Sequence, residues 1–254
     1  MKFKGVIMFV MLLMIFGCGK KGTKFEAHKF KNEKDGKMLL YRLLKPANYN
    51  KDTKYPLVVF LHGAGERGQD NMKQLIHGAK IFETDINLEK YPCFVIAPQC
   101  PEGQRWVEVD WDLDKHTMPE NPSESVRLLM KLIDSFEKQY NIDKDRIYVT
   151  GLSMGGFGTW DLIARYPDMF AAAAPVCGGG DVKTANIIKN IPIWAFHGSI
   201  DRTVNPQRTR DMIKAIKNAG GNPKFTEYDS VAHNSWDNAY GDPKLLEWMF
   251  KQEK

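Results

Sequence analysis

Residues 148–158 read YVTGLSMGGFG, and their centre has the form G-x-S-x-G. The residues just before it, Arg146, Ile147, Tyr148, Val149 and Thr150, are largely branched or aromatic and read as a buried strand. The residues after it carry Phe157, Trp160 and Ile163 at helical spacing. A strand that passes at once into a helix has to bend sharply, and Ser153 occupies the bend. Small neighbours make such a bend possible: Gly151 and Gly155 flank it, and Gly156 lets the helix lie close to the strand. The bend exposes the Ser153 hydroxyl at a helix N-terminus, where negative charge is favoured. That is the setting of a serine nucleophile. Without the strand and the helix the same pattern describes an ordinary Gly/Ser turn.

The chain around this elbow alternates strands with helices. Residues 38–43 read as an early antiparallel strand. Residues 57–61, LVVFL, form an apolar run expected of a strand buried on both faces. The run ends in His62-Gly63-Ala64-Gly65-Glu66-Arg67-Gly68, whose glycines let backbone N–H groups face a cleft. Helical residues are expected around 72–81 and a second buried strand at 94–97. Residues 99–122 are long and irregular but contain Trp106 and Trp111, so they read as a wall of a substrate cleft. Residues 123–140 place Leu129, Leu132, Ile133, Phe136 and Tyr140 on one helical face. After the elbow come strands at 170–175, 191–197 and 224–228. Helices are expected near 182–189, from Asn205-Pro206 to Gly220, and from Asp242-Pro243 onward. This alternation implies an α/β fold: one domain, a mostly parallel central sheet with helices on both faces.

The first 17 residues read as a leader: Lys2 and Lys4, then an apolar run at 6–16 that is too short to span a bilayer. Ile15-Phe16-Gly17-Cys18 resembles a lipobox, which makes Cys18 the lipidation site, with plain secretion as the alternative. Either way the protein is expected outside the cytoplasm, anchored to a bacterial membrane in the first case. Residues 18–34 read as a polar tether, and residues 35–254 as the catalytic domain. A net charge of +5 is too small a surplus to argue for nucleic acid. Cys93, Cys100 and Cys177 show no zinc spacing and no assignable disulfide. Asp110, Asp112 and Asp114 begin like a calcium loop, but Lys115 and Asn121 stand where Gly and Glu are needed. No metal site is expected.

Ser153, Asp201 and His233 all fall just past predicted strand ends, where chemistry belongs in such a sheet. Ser153 needs a base to take its proton, His233 can do so near neutral pH, and Asp201 would hold the imidazole in the right tautomer. The amides of Met154 and Ala64 are the expected oxyanion donors. Asp181 is the rival acid, one strand early. Of the other histidines, His62 belongs to the oxyanion turn and His197 braces the Asp201 loop. Glu66 and Arg67 read as an ion pair bracing the turn, or as groups orienting substrate. Gln99, Trp106 and Trp111 are candidate substrate-binding residues, with turn formation the equal alternative for Gln99. Trp160 reads as core, and Trp236 as packing for the His233 loop.

The segments at 61–68, 97–101, 151–160, 175–181 and 193–201 together resemble the bacterial extracellular esterase family of the α/β-hydrolase fold. Its members carry labels such as phospholipase/carboxylesterase-like, polyhydroxybutyrate-depolymerase-like, feruloyl-esterase-like and "predicted peptidase". The resemblance spans roughly residues 35–252. It implies a cofactor-free serine hydrolase acting on carboxylic esters, with the triad Ser153, Asp201 and His233 and an oxyanion turn within residues 62–65. Acetyl or feruloyl esters on polysaccharide are the substrates it suggests. A serine peptidase of prolyl-oligopeptidase type is the alternative, and a non-catalytic ligand-binding lipoprotein a remote one.

Overall fold

A computed structural model describes residues 22–254, so the leader expected at 1–17 and the expected lipidation site Cys18 lie outside the described residues. Eight strands form a single sheet in the order β1-β2-β4-β3-β5-β6-β7-β8. They are β1 (Glu26–Lys31), β2 (Met38–Leu44), β3 (Tyr55–Leu61), β4 (Phe94–Gln99), β5 (Ile142–Leu152), β6 (Ala172–Val176), β7 (Trp194–Gly198) and β8 (Lys224–Tyr228). The run from β4 through β8 is parallel, while β1 and β2 pair antiparallel at one edge. Every residue of β3 and β4 is buried, which the unbroken apolar runs require.

The helices are α1 (Asp85–Lys90), α2 (Glu124–Gln139), α3 (Met154–Arg165), α4 (Ala185–Ile188), α5 (Gln207–Asn218), α6 (Trp236–Gly241) and α7 (Pro243–Met249). They cover both faces and divide the core in two. On one face Leu129, Leu132, Ile133 and Phe136 of α2 pack with Phe157 and Trp160 of α3 and Met212 of α5. On the other, Tyr240, Leu245 and Met249 of α6 and α7 pack on Phe60 and Tyr148. Each such side chain contributes about 1.5–3 kcal/mol by leaving water. Helix α2 starts where Ser123 accepts a hydrogen bond from the Val126 amide. Trp160 is core, as expected.

Two sequence expectations need correction. The segment read as a tether to residue 34 contains β1, which pairs along its length with β2. The buried Phe25 precedes it, so the domain starts earlier than residue 35. Charged residues on an edge strand disguise it in the sequence: the lysines suit an edge that must not recruit another strand. Residues 72–81, expected to be helical, fold as short 3-10 turns at Lys73–Leu75 and Ala79–Glu83. Among the described residues no helix is long and apolar enough to cross a membrane.

Candidate active site

Ser153 sits between β5 and α3 with φ 52° and ψ −115°, a conformation few non-glycine residues adopt. Close packing of the elbow holds it there. A side chain at Gly155 would place its Cβ 2.0 Å from the Leu61 carbonyl oxygen, and one at Gly156 would lie 2.4 Å from that of Val176. Only bare backbone lets α3 start this close to β3 and β6.

The loops after β7 and β8 bring the other two residues to the elbow. His233 Nε2 lies 2.9 Å from Ser153 Oγ, and His233 Nδ1 lies 2.7 Å from Asp201 Oδ2. The Asp201 Oδ1 accepts from the amides of Thr203 at 2.8 Å and Val204 at 3.0 Å. Burial alone would raise the Asp201 carboxyl. Hydrogen bonds from His197, His233 and the Val204 amide outweigh it and hold the group well below the usual carboxylate range. The carboxylate is therefore ionised and aimed at the imidazole. Asp181, the rival acid, instead caps a 3-10 turn and accepts from the amides of Lys183 and Met118 at 3.0 and 2.9 Å.

Ala64 and Met154 each begin a helical turn, so neither amide has a partner within its own element. The turn at Ala64 is staked from behind. His62 Nε2 accepts from the Cys100 amide at 2.9 Å, and its Nδ1 faces the Gly63 carbonyl at 2.6 Å. Burial lowers His62 to about 4, so the ring is neutral and Nδ1 is its donor. Trp106 is fully buried, and its indole N–H donates to the His62 carbonyl at 3.0 Å. Gln99 is buried as well: its oxygen accepts from the Asn71 amide at 2.6 Å, and its amide donates to the Glu66 carbonyl at 3.1 Å. Both residues hold the turn at residues 62–66 and neither lines the cleft, contrary to the substrate-binding expectation for Trp106 and in line with the turn-forming alternative for Gln99. Their backbone partners lie within the turn and the loop after it, so their polar atoms are used up there.

A cavity of about 280 Å³ opens over Ser153, walled by Ala64, Glu66, His77, Trp111, His233 and Trp236. Of the three residues proposed as substrate-binding, Trp111 alone lines it. Its ring is backed by the Arg105 guanidinium at 4.5 Å. The expected Glu66–Arg67 ion pair is replaced by other contacts. Arg67 donates to the carbonyls of Ala64 and Gln104, while Glu66, which burial raises, lies 3.9 Å from His77. Sequence reasoning missed His77, which has no strand before it, and gave Trp236 only a packing role. Trp236 does pack edge-on against His233, at 5.2 Å, but also faces the cavity. Arg208 of α5 was also missed. It holds the Trp111 loop by donating to the carbonyls of Asp110, Trp111 and Leu113, and it contacts His116.

A family model described as Phospholipase/Carboxylesterase matches residues 48–243. Poly(3-hydroxyalkanoate) depolymerase C of Paucimonas lemoignei is 26% identical over 224 residues, 74% of this chain and 51% of the depolymerase. Feruloyl esterase B of Thermothelomyces thermophilus is 24% identical over 240 residues, 79% of this chain and 78% of that protein. The crystal structure of a thermostable esterase superposes with a TM-score of 0.85 at 42% identity, covering 91% of this chain and 64% of the esterase. The chain thus spans about half the length of the depolymerase and under two thirds of the thermostable esterase. The chain belongs to the phospholipase/carboxylesterase family, and its sheet is that of the α/β-hydrolase fold.

Proposed function

We propose that the protein is a serine carboxylesterase that works through an acyl-enzyme. The observation that carries this reading is the unbroken chain from Ser153 Oγ to His233 at 2.9 Å and on to Asp201 at 2.7 Å. His233 takes the Ser153 proton as the oxygen attacks the ester carbonyl. Asp201 keeps the Nδ1 proton in place and stabilises the imidazolium. Negative charge on the tetrahedral intermediate falls to the Met154 and Ala64 amides. His233 then returns the proton to the leaving alcohol, and water repeats the cycle on the acyl-enzyme.

The cavity lies just below the usual size range of ligand sites, which suits a short acyl group or one aromatic acid, with the alcohol left outside. Acetyl or feruloyl esters on polysaccharide fit that division, and Trp111 and Trp236 supply flat apolar walls. The proposed setting is extracytoplasmic, with Cys18 as the lipid anchor to a bacterial membrane.

The test compares residues 19–254 with Ser153→Ala on acetyl, feruloyl and long-chain acyl esters and on peptide amides. Loss of at least about a thousandfold in ester turnover is expected from the substitution. Equal rates for the two proteins would leave a non-catalytic ligand-binding role. Amide turnover above ester turnover would identify a peptidase. Acyl labelling abolished by Cys18→Ala tests the anchor.

A further inference from the structure

His197 stands outside the three-residue chain yet touches it. It lies in β7, is fully buried, and its Nε2 is 3.1 Å from Asp201 Oδ2, the oxygen that also faces His233. The same Nε2 lies 3.0 Å from the Val204 carbonyl. A carboxylate and a carbonyl only accept, so Nε2 carries a hydrogen. The other ring nitrogen, Nδ1, is 2.8 Å from Thr209 Oγ1 on α5. Thr209 has one hydroxyl hydrogen, and the buried Gly178 carbonyl lies 2.8 Å from the same oxygen. Among the loop and turn bonds of the described residues no backbone amide serves Gly178. Buried carbonyls take a donor, so the Thr209 hydrogen goes there. Thr209 can then only accept from His197, and Nδ1 carries a hydrogen too.

We propose that His197 is a buried imidazolium that neutralises Asp201 and thereby sets the acid limb of the pH–rate profile. The proposal rests on the hydrolytic reading of Ser153, His233 and Asp201. Beside an uncompensated carboxylate, His233 would hold its proton tightly and serve as a base only at higher pH. Beside a neutral Asp201–His197 pair it releases that proton earlier. The buried carboxylate gains a full counter-charge, which is how buried charges are tolerated. Glu66, His77 and Asp112 line the cavity that His233 faces, and two further groups lie on the elements beside the pair. The Cys177 thiol, just past β6 and beside Asp201 and His233, is raised by burial and stays neutral. The Arg208 guanidinium, next to Thr209 on α5, is turned toward the carbonyls of the Trp111 loop and His116, which burial and that guanidinium lower to about 4. Neither displaces His197 as the partner of Asp201. His197 is a positioning residue, because it acts through Asp201 and does not touch the reacting atoms.

The two histidines contact one oxygen at 3.1 and 2.7 Å, so their nearest nitrogens are within about 6 Å. At that range, with an effective dielectric constant of ~20, removing a unit charge moves a titration by about one to two pH units. The experiment measures kcat/KM for p-nitrophenyl acetate against pH in the wild type, His197→Gln and Thr209→Val, together with 15N spectra of histidine-labelled wild type. Gln keeps a donor toward Asp201 without the charge, and Val removes the acceptor that Nδ1–H needs. In both variants the acid limb is expected to move up by at least about one unit, and both His197 nitrogens in the wild type to be protonated at neutral pH. An unmoved acid limb, with only kcat reduced, overturns the proposal, as does a bare ring nitrogen on His197. If the variants do not fold, the wild-type spectrum decides. A wild type that leaves the ester uncleaved removes the esterase reading, and the spectrum still decides the charge on His197.

Discussion

Replacing Asp201 by Asn tests the site at its most constrained atom. Asp201 Oδ1 accepts from the amides of Thr203 and Val204, which can only donate. The Asn carbonyl must therefore face those amides, and its NH2 must face the histidines. One N–H then points at His233 Nδ1, which has to become an acceptor. The ring proton moves to Nε2, 2.9 Å from Ser153 Oγ, where a base is needed and a donor now stands. A triad locked in the wrong tautomer loses about 10⁴ in kcat while geometry and KM are kept. Stability should also fall, by about 3 kcal/mol, because the buried His197 loses the carboxylate it faces. The assay is steady-state hydrolysis of p-nitrophenyl acetate, with urea unfolding on the same samples. Asp181→Asn is the control. Its carboxylate only caps a turn and the Met118 amide, so activity should stay within about threefold while stability drops by about 1 kcal/mol. More than a tenth of wild-type activity in Asp201→Asn, or an equal loss in Asp181→Asn, would refute the reasoning.

Three further outcomes follow from the packing. Gly155→Ala puts a Cβ 2.0 Å from the Leu61 carbonyl, backbone against backbone, so urea unfolding should show a loss of about 3 kcal/mol and esterase activity should fall with the distorted elbow. Trp111→Ala removes the aromatic wall of the cavity and should raise KM for a feruloyl ester by about tenfold, with a smaller effect on an acetyl ester; equal changes in both would argue against a wall contact. His62 is lowered by burial to about 4, so between that value and the unfolded ~6.5 the unfolded chain binds a proton that the native state refuses. Stability therefore rises with pH across this window, and up to about 3 kcal/mol is lost on acidification to pH ~4, a slope that His62→Gln should flatten in urea titrations at successive pH values.

Much of this was legible in residue order alone. A strand running through Gly151-Leu152-Ser153 into a helix can be read locally, because periodicity and small residues act within a dozen positions. The places of Asp201 and His233 just past strand ends follow from the same reading. So does the parallel sheet, since apolar runs such as 57–61 alternating with helical segments are expected of strands covered on both faces. Other features depended on partners far away in the chain. β1 is a charged edge strand, recognisable only once Met38–Leu44 lies beside it. Trp106 and Gln99 have the composition of binding residues, and what settled their positions was the carbonyls and amides of residues 62–71 coming within reach of their polar atoms. His77 and Trp236 meet at the cavity because the turns after residue 72 and the start of α6, far apart in the chain, close over Ser153. Local sequence sets backbone propensity and the pattern of burial. Which polar atom a side chain meets is decided by long-range packing, because a hydrogen bond needs its partner within about 3 Å and in line.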